Sequence, residues 1–275
     1  MRFLERLAAG EFAVALEITP PQRHLPKVLL RRARLLGDAA HAVNVIQRPD
    51  RQSSLDASLA LRAAGMDPVW HLTARGLTRE EAVGAVGRAR AGGIEQVLCI
   101  AGDHPGGEGE PSMTVREVVA LVREGLPGAT VGATLNQYAR DPATARRNLL
   151  PKLRAGASYV QTQPTFDVGA LEVALAGVRR EVAEVTAIAM AMPLTSAEAG
   201  ERIAARLGLE LPPRLRDVLA SGDEEAAWEF FGDVLKRLVD SPAVQGVAIM
   251  TFEMDPPPAA GERIVAALEA AGALA

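Results

Sequence analysis

The sequence predicts an α/β chain folded as one (β/α)8 TIM barrel over residues 1–275, with extra helices before the last strand. Three observations predict it. Eight short apolar or β-rich runs recur along the chain, each followed by a helical pattern, and their starts lie about 25 to 35 residues apart, the size of a βα unit. The runs are nearly continuous in apolar character rather than alternating, which suits strands of a parallel sheet buried on both faces. The chain has 275 residues, within the range of a single barrel domain.

In order, "MRFLERLAAGEF" carries one apolar helical face with acids inside it, unlike a secretory leader, and reads as a short amphipathic helix closing one end of the fold. The strands follow as "FAVALEIT" (12–19), "HAVNVIQ" (41–47), "PVWHLTA" (68–74), "QVLCIAG" (96–102), "TVGATLN" (130–136), "YVQTQPT" (159–165), "VTAIAMAM" (185–192) and "GVAIMTF" (246–252). Segments such as "TREEAVGAVGRARAGG" and "FDVGALEVALAGVRREVAE" lie between them, with apolar residues at helical spacing and acids in the first turn. The seventh unit is longer, and its excess, "LPPRLRDVLASGDEEAAWEFFGDVLKRL", reads as added helices. A doubly wound open sheet is the alternative, weakened because neither GxGxxG nor a P-loop follows any strand.

Composition narrows the function classes. The net charge of −4 gives no general attraction for nucleic acid, and no stretch of 18 apolar residues indicates a membrane span. The single cysteine, Cys99, rules out an internal disulfide framework, and a cytoplasmic location is expected. The four histidines are scattered without HxxxH or HxH spacing, so no metal centre is expected. Cys99, between Leu98 and Ile100 inside a strand, reads as core rather than nucleophile. "DPPPAAGE" (255–262) reads as a rigid loop before the last helix.

Barrel enzymes place their chemistry at the C-terminal ends of the strands. That rule selects Glu17, Gln47, His71 with Thr73, Asp103, Asn136, Gln163, and Thr251 or Glu253. Glu17 is a lone carboxylate in an apolar run before Pro20 and Pro21, and a buried carboxylate must be paired, wetted or protonated. Asp103 opens the loop "GDHPGGEGEP", whose glycines let backbone approach a ligand or make a flexible turn. Gln47 and Asn136 also suit turn or capping roles, and His71 a bond to a neighbouring carbonyl.

Four pieces, "LEITPP", "HLTARGLTREE", "CIAGDHPGGEGEPSM" and "KLRAGASYVQTQPTFD", stand in an order that resembles the methylenetetrahydrofolate reductases, flavoenzymes that reduce 5,10-methylenetetrahydrofolate to 5-methyltetrahydrofolate. The resemblance is clearest over residues 12–166. It implies Glu17 as the general acid at N10 of the folate, Asp103 near pterin and flavin, and Gln163 on the pterin, with Gln47 beside the substrate. It implies flavin contacts from His71, Thr73, Gly102, Asp103, Asn136 and Lys152, with FAD as cofactor and NAD(P)H as hydride donor. Three positions depart from the family pattern: Ala101 replaces an arginine, Thr134 an aromatic residue and Ala145 a ribose-binding aspartate. They thin the flavin contacts and leave FMN, or direct transfer from nicotinamide, as alternatives. Two other classes stay open, a barrel enzyme using Glu17 and Asp103 for non-redox acid/base chemistry, and a non-catalytic partner subunit. The expected ligand is a small-molecule folate, with no nucleic acid or membrane partner, and a homo-oligomer is left open.

Overall fold

The computed structural model describes residues 2–102, 112–139 and 141–274. Eight parallel strands close into a barrel in sequence order: β1 (Ala13–Ile18), β2 (Ala42–Val45), β3 (Pro68–Thr73), β4 (Gln96–Ile100), β5 (Thr130–Leu135), β6 (Tyr159–Pro164), β7 (Thr186–Ala191) and β8 (Gly246–Met250). β8 pairs with β1 from Ala13↔Gly246 to Glu17↔Met250, so the sheet has no free edge. Each strand falls inside the run expected for it.

The two faces of the strands explain the continuous apolar runs. Outward residues such as Val14, Leu16, Val43, Trp70, Val97 and Cys99 pack in the layer beneath the helices. Inward residues form a second cluster, with Ala13, Ala15, Ala42 and Ala248 small and Val69, Leu98, Tyr159 and Ile188 filling the space between them. Gly132 on β5 makes room for the Tyr159 ring of β6, because a Cβ there would lie 2.2 Å from the Tyr159 Cζ. Phe3 belongs to this inner cluster with Leu4 and Leu7 packed against it, so α1 (Phe3–Ala8) closes the N-terminal end as expected.

The surrounding helices begin where the sequence supplies caps. Thr78 and Glu81 form a reciprocal capping box at α4 (Arg79–Ala91), and Asp167 accepts from Ala170 N at α7 (Val168–Arg179). The outer ring also includes α2 (Pro26–Ala33), α3 (Ser54–Ala63), α5 (Val115–Gly125), α6 (Pro142–Arg154) and α11 (Pro258–Ala270). The long seventh unit holds three helices, α8 (Ala197–Leu207), α9 (Pro213–Ser221) and α10 (Glu224–Asp240), confirming the added helices before β8. The loop expected over 255–262 ends earlier, at Pro257, since α11 starts at Pro258, a residue suited to a first helical turn.

Candidate active site

Inward alternation along β1 puts Ala13 and Ala15 on the barrel floor and Glu17 above them, at the C-terminal end. Glu17 is 9 % exposed. Its cross-strand neighbour on β2 is Asn44, also buried. Gln161 on β6 joins the two: its Nε2 donates to Glu17 Oε2 at 3.0 Å, and its Oε1 accepts from Asn44 Nδ2 at 2.7 Å. Two buried amides and one carboxyl thus form a chain across the barrel.

Burial pushes the Glu17 carboxyl up to about 7, against the opposing pull of the Gln161 bond, Arg206, Asn44 and Arg48. His71 Nε2 lies 4.0 Å from Glu17 Oε2 and has no hydrogen-bond partner among the described residues. Burial drives the imidazole down to about 3, so His71 is neutral and makes no ion pair with Glu17. The site therefore holds a carboxyl able to give up a proton near neutral pH beside an uncharged ring.

These groups open onto a cavity of about 440 Å³ lined also by Gln47, Gly102, Thr134, Gln163, Met190, Ile203 and Arg206. β6 shifts register against β7 between Gln161 and Pro164, and Thr162 Oγ1 accepts from Met190 N at 2.9 Å. This irregularity lets consecutive residues Gln161 to Pro164 line the cavity, a common use of bulges beside functional sites. Gln163 is held by Gln137, whose Oε1 accepts from Gln163 N at 3.0 Å and whose Nε2 donates to Gln163 O at 2.7 Å.

The expected residues divide into three groups. Glu17, Gln47, His71, Gly102 and Gln163 meet at this cavity, and Thr73 lines an adjoining one with Gly102. Gln47 also braces its own loop: Oε1 accepts from Ser54 N and Oγ, both at 2.9 Å. Asn136 and Lys152 turn to the chain instead. Asn136 Oδ1 accepts from Tyr138 N at 3.0 Å, and Lys152 Nζ donates to the Thr134 carbonyl at 3.3 Å. Asp103 lies outside the described residues. Of the two candidates after β8, Thr251 bonds the Glu253 carbonyl, and both line a third cavity that also reaches Glu17.

Sequence reasoning missed Asn44, Gln161, Arg48, Ile203 and Arg206. Inward periodicity marks Asn44 and Gln161, which lie one and three residues before the last residues of β2 and β6. Arg206 and Ile203 sit on α8, whose lean over the mouth has no local signal.

The sequence profile of the methylenetetrahydrofolate reductases matches residues 2–260. The chain belongs to the methylenetetrahydrofolate reductase family. No curated protein sequence matches it. Among solved structures, an uncharacterized protein from Clostridium thermocellum that binds two copies of 5-methyl-5,6,7,8-tetrahydrofolic acid is similar at a TM-score of 0.73 and 13 % identity, covering 98 % of this chain and 99 % of that one. The coenzyme F420-dependent tetrahydromethanopterin reductase from Methanopyrus kandleri is similar at 0.58 and 11 % identity, covering 93 % and 97 %. Both share the barrel fold.

Membership in the methylenetetrahydrofolate reductase family implies a flavin at this face, which the side chains around β5 can test. Lys152 and Asn136 are engaged with backbone, Ala145 is buried in the core, and the Tyr138 hydroxyl donates to the Pro164 carbonyl at 2.5 Å, tying the chain after β5 to β6. Among the described residues these side chains spend bonds on backbone, so the stretch from β5 to α6 offers few partners for a flavin diphosphate; Asp103 and Arg140 lie outside the described residues.

Proposed function

We propose that the protein is an oxidoreductase that reduces 5,10-methylenetetrahydrofolate to 5-methyltetrahydrofolate with hydride from NAD(P)H, and that Glu17 is its general acid. The observation that carries this reading is the Glu17 carboxyl, buried at the barrel mouth and poised near pH 7. Protonation of N10 by Glu17 lets the bond from the bridging carbon to N10 break, leaving an iminium at N5. Hydride delivered to that carbon completes the methyl group, and Glu17 regains its proton from solvent. Gln161 and Asn44 fix the carboxyl, neutral His71 adds no competing charge, and Gln163 faces the cavity in position to meet the pterin edge.

Family membership supports the reaction class. The folate bound by the C. thermocellum protein and the pterin reduced by the M. kandleri enzyme belong to the same chemical class of ligand. Flavin has the least support, so NAD(P)H is taken as the direct donor. The deciding experiment follows NADH and NADPH oxidation with methylenetetrahydrofolate and detects methyltetrahydrofolate by chromatography, alongside titration of the protein with FAD and FMN. Turnover without bound flavin is expected. No methyl product with either donor, with and without added flavin, would overturn the reading.

A further inference from the structure

A second cavity, of about 620 Å³, adjoins the Glu17 cavity on the side of β2 and β3. Gln47, Arg48, Gly102 and Arg206 line both. Among the described residues, four arginines border it, Arg48 and Arg51 after β2, Arg75 after β3 and Arg206 in the last turn of α8, against one carboxylate, Asp50. In a chain whose net charge is −4, composition does not produce such a concentration.

The loop carrying two of these arginines is braced. Besides its bonds to Ser54, Gln47 donates through Nε2 to the Arg48 carbonyl at 3.2 Å, and Gln52 N donates to the Pro21 carbonyl at 2.9 Å. Between Arg48 and Arg51 the chain turns through Asp50 at φ 53°, a left-handed conformation that aspartate tolerates better than most residues. That turn brings Arg48 and Arg51 to the same cavity. On the opposite wall, Gly102 has φ 91°, a left-handed conformation that glycine adopts without strain. Guanidinium forks match phosphate and carboxylate oxygens in pairs, which ammonium groups do not.

We infer that this arginine-lined cavity is a binding site for a multivalent anionic arm of the ligand whose reactive end sits over Glu17. The arm is either the phosphates of the dinucleotide or the carboxylates of an extended folate tail. The inference rests on the proposed reduction for the identity of these ligands, but the site's affinity for anions does not.

The test has two parts. Calorimetric titration with inorganic pyrophosphate is expected to show binding that weakens about tenfold or more in Arg51→Gln and again in Arg75→Gln, and that falls with rising salt. Absence of pyrophosphate binding, or equal binding to wild type and the double variant with an unchanged melting temperature, would overturn the site. Dissociation constants are then compared for NADH and NADPH against reduced nicotinamide riboside, and for mono- against pentaglutamyl methyltetrahydrofolate. Loss of the phosphate-dependent advantage in the double variant assigns the site to the dinucleotide, and loss of the polyglutamate advantage assigns it to the folate tail. Retention of both overturns the proposal even if pyrophosphate binds. Pyrophosphate binding together with absent folate reduction would leave the anion site standing and remove the reductase reading.

Discussion

A glutamic acid raised to about 7 has consequences for both rate and stability. Glu17→Gln keeps the shape but has no proton to give at useful pH, so turnover with methylenetetrahydrofolate should fall by about 10²–10⁴-fold while the circular dichroism spectrum is unchanged. In the wild type, turnover should decline as pH rises through about 7, where Glu17 loses its proton. The folded state also holds that proton over a range in which the unfolded chain, at the ordinary value of 4.5, has released it. Folded protein therefore binds more protons between these values, and stability falls as pH rises across the window. Melting curves of wild type and Glu17→Gln should diverge from pH 4.5 to 7, with the glutamine variant the more stable by up to about 3 kcal/mol above that range. Identical pH dependence of the two would mean that Glu17 ionises normally. Gln161 acts on the same proton in the opposite sense, because its bond favours the charged carboxylate. Gln161→Leu should move the alkaline limb of the rate profile to higher pH. It should also cost about 1–3 kcal/mol, since Asn44 Nδ2 loses its acceptor in a buried place. An unmoved limb would place the proton donor elsewhere.

The strands do two jobs, and their inward residues separate them by height. Near the floor, β5 and β6 fit through one contact, Gly132 beneath the Tyr159 ring. Gly132→Ala should destabilise the protein by about 1–3 kcal/mol, because the ring or the strand must move. Denaturant titration would detect this, and a neutral result would show that the floor can repack. Two residues further along the same faces the side chains become polar, with Gln161 on β6 and Thr134 on β5 lining the mouth. The seventh unit contributes at this scale too. Ser196 caps α8, which carries Ile203 and Arg206 over the mouth, so the helix directly after β7 forms one wall of the site.

Closure makes the barrel a single cooperative object. β8 bonds both β7 and β1, so a chain cut before Gly246 leaves the edges of both exposed and removes the strand beside Glu17. Such a truncation should show no cooperative urea transition by far-UV circular dichroism, and a sharp transition would mean that the remaining strands close without it. The sequence by itself determined the fold, because a run of apolar residues buried on two faces and a capped amphipathic helix are local patterns repeated eight times. It also marked Glu17, where a carboxylate among apolar residues stands out within six positions. The rest of the site depends on which side chains closure brings face to face. Gln161 and Glu17 are 144 positions apart and meet only because the sheet curls around. Arg48, Arg75 and Arg206 come from three separate loops and helices, each unremarkable on a charged surface. Asn136 and Lys152 occupy the expected places in the chain, but their bonds run to backbone: Asn136 closes a local turn onto Tyr138 N, and packing of α6 against β5 brings Lys152 to the Thr134 carbonyl.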